Sequence, residues 1–571
     1  MKPMRIQKLI AACFLPIAVC FVVCAQQPSA TPKKVNEPTT GAIEGKVVTE
    51  SGQPLAGASL FVRAVNSFAN ARTTTSDVDG NFRVNGLEPS LYTITGNAPA
   101  YITVTNDPAG PTYYRIGDTV RLEMIRGGAI TGTVTNAAGE PVVAVRVRAT
   151  LIRDARGEPP KITSFTINEQ STDDRGIYRI YGLRPGTYIV SAGGAGFSPS
   201  FNPYDSDLPT FAPSATRDTA TEVVVRSAED STIDIRYRGE PGHIISGTAK
   251  LLGSNGVSIS VVPVGSQAPL ATTYQPIGAR GFSFSGLGDG DYDVIAQEVT
   301  SNPTTPTMPT FAVSEPKRVS IKGADVTGVE LTTRALGSIS GKILMEPSKA
   351  PECEGKRPPL LAETIVRLER PTKESEKEDW LYARVFASSA SPDASGVFTL
   401  RNMLPGRYRF EPQFYARYWY LASMTTNSAT PKPQKIDAAA NWTSVKSGEQ
   451  VTNLIITLAQ GAASIRGRVS LPEGAAATTM SIVLMPAEPD KLEDVLRYFV
   501  SEVSADQTFS FNNLPPGRYL AVIETQPPSV TSLRQPEGAP ARTKLRRAAE
   551  SKKTEIELKP CQNLVDYQFK Q

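Results

Sequence analysis

Phe509-Ser510-Phe511-Asn512-Asn513-Leu514-Pro515-Pro516-Gly517-Arg518-Tyr519-Leu520-Ala521-Val522 reads as two strands and the turn between them. Phe509 and Phe511 flank a polar residue, so a pleated strand puts both rings on one face and Ser510 on the other. Pro516 fixes one φ and Gly517 tolerates positive φ, so the chain reverses there. The returning strand inserts Tyr519, whose ring can be buried while its hydroxyl finds a partner near the rim. This one stretch is a hairpin with half of a core written into it.

The same hairpin occurs four more times. It is carried by Phe82-Arg83-Val84, Leu87 and Tyr92, by Tyr178-Arg179-Ile180, Leu183 and Tyr188, by Phe282-Ser283-Phe284, Leu287 and Tyr292, and by Phe398-Thr399-Leu400, Met403 and Tyr408. In every copy the Tyr stands five positions after the Leu or Met. Upstream of each lies an Ile-x-Gly opening, at Ile43-Glu44-Gly45, Ile130-Thr131-Gly132, Ile245-Ser246-Gly247, Ile339-Ser340-Gly341 and Ile465-Arg466-Gly467. Successive openings are roughly 90 to 125 residues apart, so each repeat is a whole domain and not a solenoid turn.

Alternating strands close the units, for example Val120-Arg121-Leu122-Glu123-Met124 and Ile233-Asp234-Ile235-Arg236-Tyr237, with Val326 to Leu331 and Leu454 to Leu458 in the same role. Each runs into the next opening across a few residues, such as Arg126-Gly127-Gly128 or Gln460-Gly461-Ala462. Linkers this short restrict domain motion and predict an extended, semi-rigid rod. Dense antiparallel strands without long helical patterns give the expected fold class. It is all-β, a tandem array of about five immunoglobulin-like or transthyretin-like antiparallel β-sandwich domains. The expected map is 41–126, 127–239, 240–335, 336–460 and 461–571. Ahead of it come a signal peptide at 1–25 and a polar, Pro-rich disordered linker at 26–40.

Bulk properties agree with several domains, because 571 residues exceed what one hydrophobic core encloses. Lys+Arg 60 against Asp+Glu 56 gives no overall field to gather nucleic acid. The basic stretch Arg542, Lys544, Arg546, Arg547, Lys552, Lys553 reads as a solvated loop or strand flank. Lys2, Arg5 and Lys8 precede the apolar run Leu9 to Val23, and Val23-Cys24-Ala25 supplies small residues for cleavage. That run is short for a membrane span, which needs about 20 residues, and Val23 disfavours lipid attachment at Cys24. The expected location is extracytoplasmic: periplasmic, cell-surface or secreted, with no membrane span after cleavage. Cys353 and Cys561 are the cysteines left in the mature chain, and sequence leaves open whether they pair.

Gly52-Gln53-Pro54-Leu55-Ala56-Gly57-Ala58, then Asp77-x-x-Gly80-x-Phe82, and the Leu-x-Pro-Gly-x-Tyr hairpins resemble the carboxypeptidase regulatory-like domain. The first unit matches best, and the second follows with Gly139-Glu140-Pro141-Val142. The resemblance implies a transthyretin-like sandwich of the carbohydrate-binding-like group. It names an accessory domain of carboxypeptidases, without a catalytic one. The fifth unit is also similar to the repeats of Gram-positive collagen-adhesin stalks. Those carry a Lys–Asn bond assisted by a Glu at the place of Glu524, but here the opening strand has Arg466 and Arg468.

Catalytic chemistry has little to work with. His243 is the one histidine, too few for a carboxypeptidase zinc site, and it reads as a strand-edge residue. Gly337-Ser338-Ile339-Ser340-Gly341-Lys342 has Ile343 where a phosphate loop needs Ser or Thr. Asp77-Val78-Asp79-Gly80-Asn81 reads as a turn and not a calcium loop. No enzyme activity, catalytic residue, metal or cofactor is therefore expected. The sharpest local feature is the fourth unit, which holds Trp380, Trp419 and Trp442. In Phe414-Tyr415-Ala416-Arg417-Tyr418-Trp419-Tyr420 the rings lack clean alternation and cannot all face one core. Tyr415, Tyr418, Trp419 and Tyr420 are the candidate ligand or partner contact. The expected function is an exported, non-enzymatic interaction, adhesion or scaffold protein. Its partner would be an extracytoplasmic protein or a polysaccharide, and the alternative is carbohydrate binding through the fourth-unit aromatics.

Overall fold

The computed structural model describes residues 40–570 apart from 66–70, 104–111, 161–167, 197–201, 254–255, 267–268, 277, 280, 301–309, 372–388, 428–434, 471–479, 526 and 553. The expected signal peptide, the expected linker up to residue 39 and Trp380 lie outside the described residues. Strands dominate, and their buried side chains form five principal clusters, each between the strands of one repeat.

In the first repeat, Asn81–Leu87, Gly41–Thr49, Thr119–Arg126 and Tyr101–Thr103 form one sheet, in that order. Arg72–Thr75, Ser59–Ala64 and Tyr92–Asn97 form the other. Ile43, Phe82 and Val120 from one sheet meet Leu60, Val62 and Tyr92 from the other in a single cluster. The remaining repeats vary this plan. In the third, Thr310–Ser314 pairs with both Gly290–Thr300 and Val326–Ala335, which joins its two sheets into one eight-stranded sheet.

The opening strand is always the hub. It pairs antiparallel with the strand carrying the buried aromatic and parallel with the closing strand. The sandwiches are therefore mixed at this edge, where alternation predicted antiparallel pairing throughout. Period-2 patterning fixes which face a side chain takes but not strand direction.

The Ile-x-Gly opening has a steric cause. Its glycine sits opposite the aromatic, as in Gly45↔Phe82, Gly247↔Phe282 and Gly467↔Phe509. On the other side a closing-strand carbonyl leans over it. A Cβ at Gly247 would stand 1.9 Å from the Val329 oxygen, and one at Gly467 would stand 1.9 Å from that of Tyr567. The parallel ladder shifts register at this point in the last three repeats, a bulge that only a residue without a side chain accommodates.

The Tyr of each hairpin is buried, and its hydroxyl donates to the carbonyl four residues upstream. The acceptors are Glu88, Arg184, Gly288, Leu404 and Pro515, at 2.6 to 2.9 Å. This meets the need of a buried phenol and locks the turn. Burial raises the pKa of Tyr92, Tyr188, Tyr292 and Tyr519.

Three expectations need correction. Residues 530–552 hold helix: Val530–Arg534, here α1, and Ala539–Lys552, here α2. Leu533, Leu545 and Ala549 cover the outer face of the fifth repeat's second sheet, against Val483, Met485, Leu520 and Val522. The basic stretch is accordingly helical, and Arg542 is buried with Nη1 donating to the carbonyls of Leu533 and Gln535. The cores are also not wholly separate. Ala195 of the second repeat joins the third core, and Val495 and Leu496 of the fifth join the fourth. Finally, the Arg115 guanidinium lies 3.8 Å from Glu363 and 4.6 Å from the Tyr415 ring. The first repeat thus touches the fourth, a contact that an end-to-end rod does not make.

Candidate functional site

The residue before the hairpin Leu or Met has positive φ in all five repeats: Gly86, Gly182, Gly286, Asn402 and Asn513, at 57° to 69° and 72°. Glycine and asparagine are the residues that tolerate this conformation. From the second repeat onward, this tip meets the preceding repeat. A Cβ on Gly127 would stand 2.7 Å from Gly182 Cα, so the first linker is packed against the second tip. Gly286 lies so close to the Asp205 and Asp207 carbonyls that a Cβ would stand 2.5 and 2.6 Å from them. Asn402 Oδ1 accepts from Phe311 N at 2.9 Å. Asn513 Nδ2 donates to the Ala416 and Trp419 carbonyls, each at 2.7 Å. One device therefore makes four junctions.

The fourth junction is the most heavily tied. Tyr418 O accepts from Gly461 N at 2.9 Å and Ala462 N at 3.0 Å, and Gly461 O accepts from Cys561 N at 3.0 Å. Cys353 and Cys561 form a disulfide across it, with Cα atoms 5.4 Å apart. Gln460 Nε2 donates to Cys353 O at 2.9 Å, which fixes the end of the closing strand to the cysteine loop. On the other side of the junction, Arg409 is buried 3.9 Å from Glu369 while its Nη1 donates to Thr531 O of α1 at 3.3 Å. Burial lowers the Arg409 pKa and raises that of Glu369, against which the Arg409 charge works. Trp442 Nε1 donates to Glu537 at 3.1 Å.

The candidate aromatic cluster lies within this packing. Trp419 is 3% exposed and packs in the fourth core. It is the first residue of the strand Trp419–Asn427, and residues 414–418 ahead of it are coil and turn. Strand alternation therefore does not govern the rings at 414, 415 and 418. Tyr418 packs on the same core and faces Lys356, whose Nζ is 4.7 Å from the ring centroid. Tyr420 is half-buried beside the linker glycine Gly461, and burial raises its pKa. Tyr415 is 40% exposed, but Arg115 covers its ring. Trp419 and Tyr418 thus pack on the fourth core, while Tyr415 and Tyr420 lie against the first repeat's Arg115 and the linker Gly461. A cavity of about 620 Å³ does open beside the disulfide, lined by Lys349, Lys356, Gln460 and Trp419 among others.

The other residues considered in the sequence are structural. Asp77 Oδ1 accepts from the backbone N–H of Asp79 and Asn81, at 3.0 and 2.7 Å, so this carboxylate closes a turn. Asp173 and Asp393 do the same. His243 begins an opening strand with Asp289 and Asp325 at 3.6 and 3.7 Å. Among the described residues no group of His, Cys, Asp and Glu has the arrangement of a metal site, and no helix is long and apolar enough to cross a membrane.

The first repeat combines the Gly45 hub, the Asp77 turn and the Tyr92 hairpin in one two-sheet core. Residues 42–119 match the carboxypeptidase regulatory-like domain family. The matched segment is the first repeat of the array, and the later repeats share its hub and hairpin. No curated protein matches the chain in sequence. Among solved structures, GBS52, the minor pilin of Streptococcus agalactiae, is 12% identical over 35% of this chain and 97% of its own, with a TM-score of 0.19. The shaft pilin spaA of Lactobacillus rhamnosus GG is 12% identical over 35% and 98%, at 0.17. The Bacillus anthracis TIE protein is 11% identical over 73% and 74%, at 0.14. Likenesses at such scores bear on neither function nor assembly.

Proposed function

We propose that the protein is an exported, non-catalytic scaffold or adhesion module that works outside the cytoplasm and holds its sandwiches in a set arrangement. The observation that carries this reading is the Cys353–Cys561 disulfide across the fourth junction. Disulfides persist in oxidising compartments and are rare in reducing ones. The positive, apolar and small-residue sequence of residues 1–25 supports the same compartment. The scaffold part of the reading draws on the junctions. Each is made by a hairpin tip, and hydrogen bonds or shared cores add to them, so separation between surface features is held by structure and not by tether length.

Fractionation of cells expressing the full chain tests the compartment. The expected result is a protein outside the cytoplasm, shortened at its N-terminus, whose cysteines resist alkylation until reduced. A full-length cytoplasmic chain with two free thiols would overturn the proposal.

A further inference from the structure

The first junction differs from the other three. The residue preceding the left-handed tip is Tyr181 at this junction, and Ser285, Arg401 and Asn512 at the next three. Ser285 Oγ donates across its junction to Asp205 O at 3.3 Å. Tyr181 instead stays 61% exposed. Beside it the junction is open, as a groove of about 530 Å³. Ser59, Asn97, Tyr101 and Ile102 are among the residues that line it from the first repeat, and Tyr181 and Gly182 line it from the second.

The chemistry of that lining is selective. None of its described residues is Asp, Glu, Lys, Arg or His, so a charged ligand would find no counter-ion. The side chains of Ser59, Asn97 and Tyr181 make no hydrogen bond among the described residues. A purely apolar ligand would desolvate those groups without pairing them, at a cost of about 1–3 kcal/mol each. An extended peptide would need a strand edge to pair with, and the groove meets the edge strands Tyr101–Thr103 and Ile177–Leu183 at two residues each, Tyr101 and Ile102 and Tyr181 and Gly182, and Tyr92–Asn97 at its last residue, so a peptide would gain few ladder bonds there. What remains is a neutral ligand with one C–H face to lie on an exposed ring and hydroxyls to pair with an amide and an alcohol.

We infer that the groove between the first and second sandwiches is a binding subsite for a neutral saccharide, with Tyr181 as the stacking face and Asn97 and Ser59 as hydrogen-bonding groups. This deepens the extracytoplasmic reading, since polysaccharide is met there. The test uses purified chain, so its failure leaves the export experiment untouched.

Calorimetric titration of the full mature chain with cellohexaose, xylohexaose, maltoheptaose and chitohexaose tests the inference. At least one should bind with a Kd below about 1 mM. Tyr181→Ala should weaken it by about tenfold or more, and Asn97→Ala by several-fold. Tyr181→Phe, which keeps the ring, should stay within about threefold of the parent. Tyr274→Ala serves as the control, because Tyr274 is 59% exposed in the third repeat, and it should bind as the parent does. No binding by any of the four sugars up to about 10 mM would overturn the inference. Equal affinity of Tyr181→Ala and Tyr274→Ala would do so too, as would binding of a peptide at Tyr181 in place of every sugar.

Discussion

Gly247→Ala should open the third sandwich, and its neighbour across the ladder provides the control. An ideal Cβ on Gly247 would lie 1.9 Å from Val329 O, 2.7 Å from its carbonyl carbon and 2.8 Å from its nitrogen, where 3.4–4 Å is ordinary contact. These atoms are backbone, so no side chain can swing away. Relief requires Val326–Ala335 to withdraw from His243–Lys250 by about 1.5 Å, nearly a third of the spacing between paired strands. Such a shift breaks two or three ladder hydrogen bonds near the bulge, each worth about 1 kcal/mol net and more when left buried and unpaired. The expected loss is therefore about 3 kcal/mol. Gly281→Ala adds the same methyl in the paired strand, yet its Cβ finds nothing nearer than Gly247 O at 3.9 Å. That change should be neutral or stabilise by up to about 1 kcal/mol, through the unfolded chain. Amide hydrogen exchange of Val257–Pro263 and Gly290–Thr300, which pair within the same sandwich, reads its opening. Protection there should fall about 10²-fold in Gly247→Ala and not in Gly281→Ala. Equal protection in the two variants would refute the steric account of the Ile-x-Gly opening.

Other perturbations separate the remaining devices. Asn513→Gly keeps the left-handed tip but deletes both bonds to the Ala416 and Trp419 carbonyls. It should destabilise the fourth junction by about 1–3 kcal/mol, seen as faster exchange at Gly461 and Ala462 with the cores unchanged. Tyr519→Phe removes only the bond to Pro515 O and should lower the fifth sandwich's stability by about 1–2 kcal/mol in urea unfolding. The Asp173 pKa is lowered mainly by the Ile177 N–H, with Arg175 adding to it. Its contribution is then fully present above the ordinary value of 3.8 and fades as pH falls through the lower folded value. Asp173→Ala should therefore remove stability at neutral pH and flatten the acid limb of a pH–stability curve for the second sandwich.

Much of the fold was legible because its two signals are short-range. Phe509-x-Phe511 and the Tyr five places after Leu514 state face and turn within one hairpin, and Ile-x-Gly marks the strand against which it pairs. The parallel closing edge was not legible, since Thr119–Arg126 alternates identically whichever way it runs. Helix α2 had a signal that was passed over. Ala541, Leu545, Ala548 and Ala549 recur at helical spacing, but the basic residues between them read as solvated chain. Trp419 misled for a different reason: residues 414–418 are coil and turn, where alternation does not apply, and the strand begins only at Trp419. The disulfide joins residues 208 apart, a separation at which sequence says nothing about proximity. Tyr181 was visible only as the middle of a strand, because its exposure depends on how two repeats meet.

The junctions between repeats are folded structure and not tethers. Amide exchange at Gly127, Gly242, Phe311, Gly461 and Cys561 tests it most directly, because each N–H is bonded at a junction, to Ala100 O, Ser206 O, Asn402 Oδ1, Tyr418 O and Gly461 O, respectively, at 2.8 to 3.0 Å. Protection of about 10³-fold or more over an unstructured peptide is expected at all five. Exchange within about tenfold of free-peptide rates, with the sandwich cores still protected, would contradict it.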